Sequence, residues 1–174
     1  MSGTSGTAPD RGAAGRGNPV KIRNVRHNNR KKLFEVGIGS SKLAFPYSKA
    51  EPRPTAEDAV VRVSADEELG REGFTYELAS GRQGTVHVEQ VLEYNQDPSY
   101  LRDQLLYRLT LEAQKRVARS PLSKREIMRR LGTSAAQLYR LLDQTNYRKS
   151  TDQLLELLRV LDCDIDLVVR ERTA

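Results

Sequence analysis

The chain is 174 residues long, 37% hydrophobic and 30% charged, with a formal net charge of +6. That length allows one domain or two small ones, and no apolar run approaches the ~20 residues needed to span a bilayer. Cys163 is the only cysteine, which excludes an internal disulfide; with only His27 and His87 beside it, no zinc site, other metal or cofactor is expected.

The charge is unevenly spread. Residues 1–32 carry eight Lys/Arg against one acid, residues 33–98 six against twelve, and residues 99–174 fifteen against ten. Both ends therefore suit a polyanion and the middle does not. Met1 to about Asn18 is Gly, Ser, Thr, Ala and Pro with almost no large apolar side chains, too little to offset the entropy of ordering. Met1 to Pro19 also lacks the apolar core of a secretory signal, so a cytoplasmic location is expected. Lys21, Arg23, Arg26, Arg30, Lys31 and Lys32 follow, with Asn between them. Residues 1–32 are accordingly expected to be a disordered basic arm, which either tracks a nucleic-acid groove or is simply solvated.

From Leu33 the pattern turns to period two. Phe34, Val36 and Ile38 alternate; Gly39-Ser40-Ser41 allows a turn; Leu43, Phe45 and Tyr47 alternate again, with Pro46 confining that strand to an edge or its end. Ala59–Ser64 reads as a Val-rich strand. Phe74, Tyr76 and Leu78, then a Gly-containing loop, then Val86 and Val88 read as a hairpin. These elements predict a small antiparallel β domain over 33–96. The acidic run Asp66-Glu67-Glu68 falls in one of its loops.

Asp97 is a good N-cap and Pro98 suits the first helical position. Leu101, Leu105, Leu109, Ala113 and Val117 recur every four residues, with Leu106 widening the stripe, which predicts a long helix ending near Ser120-Pro121. Three helix starts then share one signature: Ser123-Lys124-Arg125-Glu126, Ser134-Ala135-Ala136-Gln137 and Ser150-Thr151-Asp152-Gln153. In each, the Ser hydroxyl accepts from the amide three residues on, and Glu or Gln reaches back. They predict helices over about 124–131, 135–142 and 151–161. The first two are joined by Gly132-Thr133, with Gly where a left-handed residue is needed. A helix, a short Gly-containing turn and a second helix form the motif that reads DNA. Ile165, Leu167 and Val169 alternate at the end and predict a final strand. The expected fold class is thus α+β, with a helix-turn-helix domain over 97–174.

Apolar residues at helical spacing, such as Ile127, Leu138, Leu141, Leu154 and Leu158, belong to the core. The other faces carry function. Away from the core, the second helix of the motif presents Ala135, Ala136, Gln137, Tyr139 and Arg140. Gln pairs with adenine and Arg with guanine, each worth ~1–3 kcal/mol of discrimination, while the alanines allow close approach. For Gln137 the competing reading is commitment to the capping box; for Arg140 it is a surface ion pair. Ser123, Lys124, Arg125, Arg129, Thr133 and Ser134, with Thr145, Asn146, Tyr147, Arg148 and Lys149 in the next loop, supply hydroxyls, helix-start amides and cations suited to phosphate.

Leu122 to Ser134, followed by Leu138-Tyr139-Arg140-Leu141, resembles the Xre/Cro-C1 family of helix-turn-helix regulators. The resemblance covers about Leu105 to Val169. The ending Cys163-Asp164-Ile165-Asp166-Leu167-Val168-Val169 is similar to antitoxins such as HipB, which append a C-terminal strand. The resemblance implies a homodimer on double-stranded, two-fold operator DNA. Met128 stands where the family usually has a small residue. Lys124 and Ala135 stand where it often has Gln, which shifts weight from base reading toward electrostatics.

The expected function is a DNA-binding transcriptional regulator. The second reading is an antitoxin-like interaction protein whose β domain binds a partner protein. No glycine-rich phosphate loop, metal cluster or nucleophile–base spacing suggests an enzyme.

Overall fold

A computed structural model describes residues 19–172; the expectation of disorder over 1–18 falls outside them. The chain divides into two units, with the boundary between Arg102 and Asp103.

The first unit contains two three-stranded antiparallel sheets. One is ordered β1 (Ile22–Asn28), β2 (Leu33–Ile38), β3 (Ser41–Pro46); the other β4 (Val60–Ala65), β5 (Gly73–Leu78), β6 (Gln83–His87). Helix α1 (Val88–Asn95) closes the unit. Alternation places Phe34 and Val36 of β2, and Phe74, Tyr76 and Leu78 of β5, in one core. The Phe34 ring lies 4.8 to 5.0 Å from those of Tyr47, Phe74 and Tyr76, within the range where tilted aromatic pairs attract. Pro46 ends β3 at the sheet edge, where its missing N–H costs no ladder bond.

Two elements depart from the sequence-based expectation. Lys21–Lys32 is not a disordered arm: Ile22–Asn28 is β1, paired with β2 along its length. Ile22 is fully buried and Val25 half-buried. A register shift between Ile22 and Asn24 breaks the period of two, so the apolar positions stand three apart among cations. Val88, expected in a strand, begins α1. Val88, Val91 and Leu92 are buried at i, i+3 and i+4, a helical period. The His87 amide donates to Gln90 Oε1 at 2.8 Å and fixes the helix start.

Gly84 in β6 is obligatory. A Cβ there would strike the Tyr76 hydroxyl and come within 2.7 Å of the Glu51 carbonyl oxygen. The missing side chain lets the Tyr76 hydroxyl donate to the Pro52 carbonyl at 2.6 Å, pinning the strap that joins the two sheets.

The second unit is built from most of α2 (Pro98–Arg119) with α3 (Lys124–Leu131), α4 (Ala135–Leu142) and α5 (Thr151–Val160). These bounds agree closely with those expected. Asp97 caps α2, its Oδ1 accepting from the Tyr100 amide at 2.9 Å. The apolar stripe of α2 departs from expectation at Leu105, which is 54% exposed; Leu106 and Ala113 of the stripe are buried, together with Thr110, and Leu109 and Val117 pack against them. Four residues advance an α-helix by a full turn plus about 40°, so a strict every-four row winds off the core within a few turns. Alternating steps of three and four stay on it. Leu106 and Ala113 pack with Ile127, Leu138, Leu141, Leu154, Leu157 and Leu158.

The expected C-terminal strand does not form: residues 163–172 have no regular structure. Leu167, Val168 and Val169 are 77%, 65% and 82% exposed. A strand exists only by pairing, and among the described residues no strand pairs with this segment. No described helix is long and apolar enough to cross a membrane.

Candidate nucleic-acid interface

The turn between α3 and α4 follows from local chemistry. Gly132 adopts φ 62°, and its amide donates back to the Arg129 and Met128 carbonyls. The Thr133 amide reaches Met128 O at 3.0 Å, so the last carbonyls of α3 are satisfied as α4 turns away. All three serine caps form. Ser123, Ser134 and Ser150 Oγ accept from the amides of Glu126, Gln137 and Gln153 at 3.1, 3.2 and 3.4 Å. Each hydroxyl keeps its own proton to donate.

The reciprocal half of all three caps is absent among the described residues. Glu126 instead accepts from Arg129 Nη2 at 2.6 Å and Arg130 Nε at 3.0 Å. These guanidinium bonds hold its carboxyl far below the ordinary range, at about 2. The Gln137 carboxamide makes no hydrogen bond among the described residues, so its competing role as a capping group falls away.

The outer face of α4 is open. Ala135, Ala136, Gln137, Tyr139 and Arg140 are all exposed, while Leu138 and Leu141 point into the core. Arg140 has no ion-pair partner among the described residues. The Lys124 ammonium lies 5.4 Å from the Tyr139 ring centroid, a cation–π contact that ties the start of α3 to the face of α4. Arg125, at the exposed start of α3, is likewise unpaired among the described residues.

Below α4 a concavity of about 700 Å³ is lined by Gln137, Arg140, Thr145, Asn146, Arg148 and the N-terminus of α5. Its loop is shaped by its own side chains. Asp143 Oδ1 accepts from the Thr145 amide at 2.9 Å and hydroxyl at 2.7 Å, which lowers the Asp143 pKa. Asn146 Oδ1 accepts from the Arg148 amide at 3.1 Å. Unpaired guanidinium groups beside a helix N-terminus suit a phosphate oxygen.

Three of the residues expected at phosphate are engaged or buried within the chain. Lys149 donates all three ammonium protons inward: to Thr110 Oγ1 at 2.6 Å, Leu141 O at 2.9 Å and Asp143 O at 2.6 Å. Burial lowers its pKa. The Tyr147 hydroxyl is buried without a hydrogen-bond partner among the described residues, and burial raises its pKa. Arg129 is tied to Glu126. Thr133 is half-buried beside Leu131 and Leu141; Ser123 and Ser134 remain exposed at the helix starts.

Sequence reading missed two anchors of α4. Gln114 Nε2 donates to Leu142 O at 2.6 Å, and Thr110 Oγ1 accepts from the Lys149 ammonium while donating to Leu106 O at 2.7 Å. Thr110 was detectable as a polar residue at a core position of α2.

Residues 114–170 match the family model of the Cro/C1-type HTH DNA-binding domain. That stretch runs from within α2 to the segment beyond α5 and leaves the β unit outside. No curated protein and no solved structure matches the chain.

Proposed function

We propose that the chain is a sequence-specific transcriptional regulator that inserts α4 into the major groove and binds two-fold DNA as a homodimer. The observation that carries this reading is the face of α4. On the second helix of the motif, Gln137 and Arg140 are exposed and unencumbered, flanked by two alanines that permit close approach to base edges. Lys124 and Arg125 at the start of α3, with Thr145, Asn146 and Arg148 around the concavity, supply phosphate contacts that set register.

The antitoxin-like reading draws less support. An acidic β region would suit a basic partner, yet Asp66 is occupied by the Thr75 hydroxyl and the Leu69 amide, and Glu67 by Arg71. Co-purification of a second polypeptide with the full chain would favour it over a self-contained regulator.

The test is binding of the full chain to DNA upstream of its own coding sequence and to a scrambled duplex, across a salt series, with Arg140→Ala alongside. The expected result is a preference for the upstream DNA that survives salt and drops roughly 10- to 100-fold in the variant. Equal, steeply salt-dependent binding to both duplexes, unchanged in the variant, would overturn base reading by α4.

A further inference from the structure

The β unit contains a concavity that DNA reading by α4 leaves without a role. Its volume is about 880 Å³. The β1–β2 turn contributes Arg30 and Lys32; the strap between the sheets contributes Arg53, Pro54, Ala56 and Glu57.

Both walls are held in place. Asn29 Nδ2 donates to Val60 O at 2.9 Å, and its Oδ1 accepts from the Tyr47 hydroxyl at 2.9 Å. The Tyr76 hydroxyl holds Pro52, and Pro54 is buried. Asp58 Oδ1 accepts from the Ser80 amide at 2.7 Å and Oδ2 from Arg82 at 2.8 Å, fixing the far end of the strap. Burial pushes the Tyr47 phenol up to about 12.

The cations of this unit fall into paired and unpaired sets. Lys42 pairs with Glu35 at 3.3 Å, Arg62 with Glu77 at 3.6 Å, Arg71 with Glu67 at 2.7 Å and Arg82 with Asp58 at 2.8 Å. Arg30, Lys32 and Arg53 have no ion-pair partner among the described residues, and Lys21, Arg26, Lys31 and Lys49 also lack one. The lining thus carries three cations against the one carboxylate of Glu57, and a concavity of net positive charge attracts an anion.

We propose that this concavity is a binding site for a nucleotide-sized phosphate ester. Phosphoryl oxygens sit on Arg30, Lys32 and Arg53, where guanidinium groups offer paired donors. The organic part lies against Pro54 and Ala56, and Glu57 accepts from a ligand hydroxyl or amine. The volume falls within the range of small-molecule sites, about 300–1,000 Å³. The apolar share of the lining favours an organic phosphate over a bare anion.

ADP and pyrophosphate are the probes, titrated into the full chain by calorimetry at about 0.15 M salt. The expected result is saturable ADP binding with Kd below about 1 mM, at least about tenfold tighter than pyrophosphate. Arg53→Gln and, as a second variant, Arg30→Gln weaken ADP about tenfold at unchanged melting temperature. Arg62→Gln and Arg140→Ala leave ADP affinity unaltered, so the outcome is independent of whether α4 reads DNA. Heats that never saturate, equal affinity for the two probes, or ADP affinity unaffected in both wall variants would overturn the proposal.

Discussion

Glu126 occupies the third position of α3, where an acid also complements the positive end of the helix dipole. Its carboxylate is held by Arg129 and Arg130 one turn on, and its pKa falls from an ordinary 4.5 to about 2. A depressed carboxylate pKa means the ionised form is favoured by folding. The contribution is complete above pH 4.5 and is lost as pH falls toward 2. Glu126→Gln is therefore expected to melt below the parent at pH 7, with the gap narrowing through that window and closing near pH 2. Paired thermal melts across pH check it; a gap constant in pH would assign the loss to the helix start rather than to charge. Gly84 offers a second test at this scale. Gly84→Ala forces the Tyr76 hydroxyl off Pro52, with an expected loss of about 2 kcal/mol, read from denaturant unfolding.

At the scale of elements, Lys149 anchors the end of α4 to α2. Its ammonium bonds the Leu141 and Asp143 carbonyls at the C-terminal end of α4, where a cation is favoured, and ties that end to Thr110 of α2. Lys149→Met is expected to lose about 2 kcal/mol of stability and to weaken operator binding with an unchanged salt slope. Arg148→Gln is expected to keep stability and lower the slope of log K against log salt by about 0.9, one phosphate fewer. Anisotropy titrations over a salt series separate the two; a reduced slope in Lys149→Met would restore Lys149 as a phosphate contact. Why sequence alone placed Lys149 outward is instructive. The bounds of α3, α4 and α5 were legible because capping serines, Gly132 and apolar spacing are local signals. The partner of Lys149 is Thr110, 39 positions away in sequence, and no local pattern connects them. The same limit hid β1, whose Ile22 is buried by β-unit residues distant in sequence, and α1, whose three apolar residues begin on a Val that also fits a strand.

For the whole molecule, the question is what completes the segment beyond α5. It alternates like a strand, yet Ile165, Leu167, Val168 and Val169 stand exposed and no described strand pairs with it. Exposed apolar residues in an unpaired, strand-patterned segment are a liability unless another chain covers them. In the proposed homodimer the covering chain is a second copy: two such segments pair antiparallel about a two-fold axis, and each then satisfies the other's backbone. The dimer in turn gives operator binding its strength, because two linked recognition helices engage two half-sites as one event. Removing residues 163–174 is expected to convert dimer to monomer in sedimentation, leave α2 to α5 folded by circular dichroism, and reduce operator affinity at least about 100-fold while half-site affinity stays the same. A truncated chain that still sediments as a dimer would place the two-fold contact elsewhere, with the exposed Leu105 on α2 as the next surface to substitute.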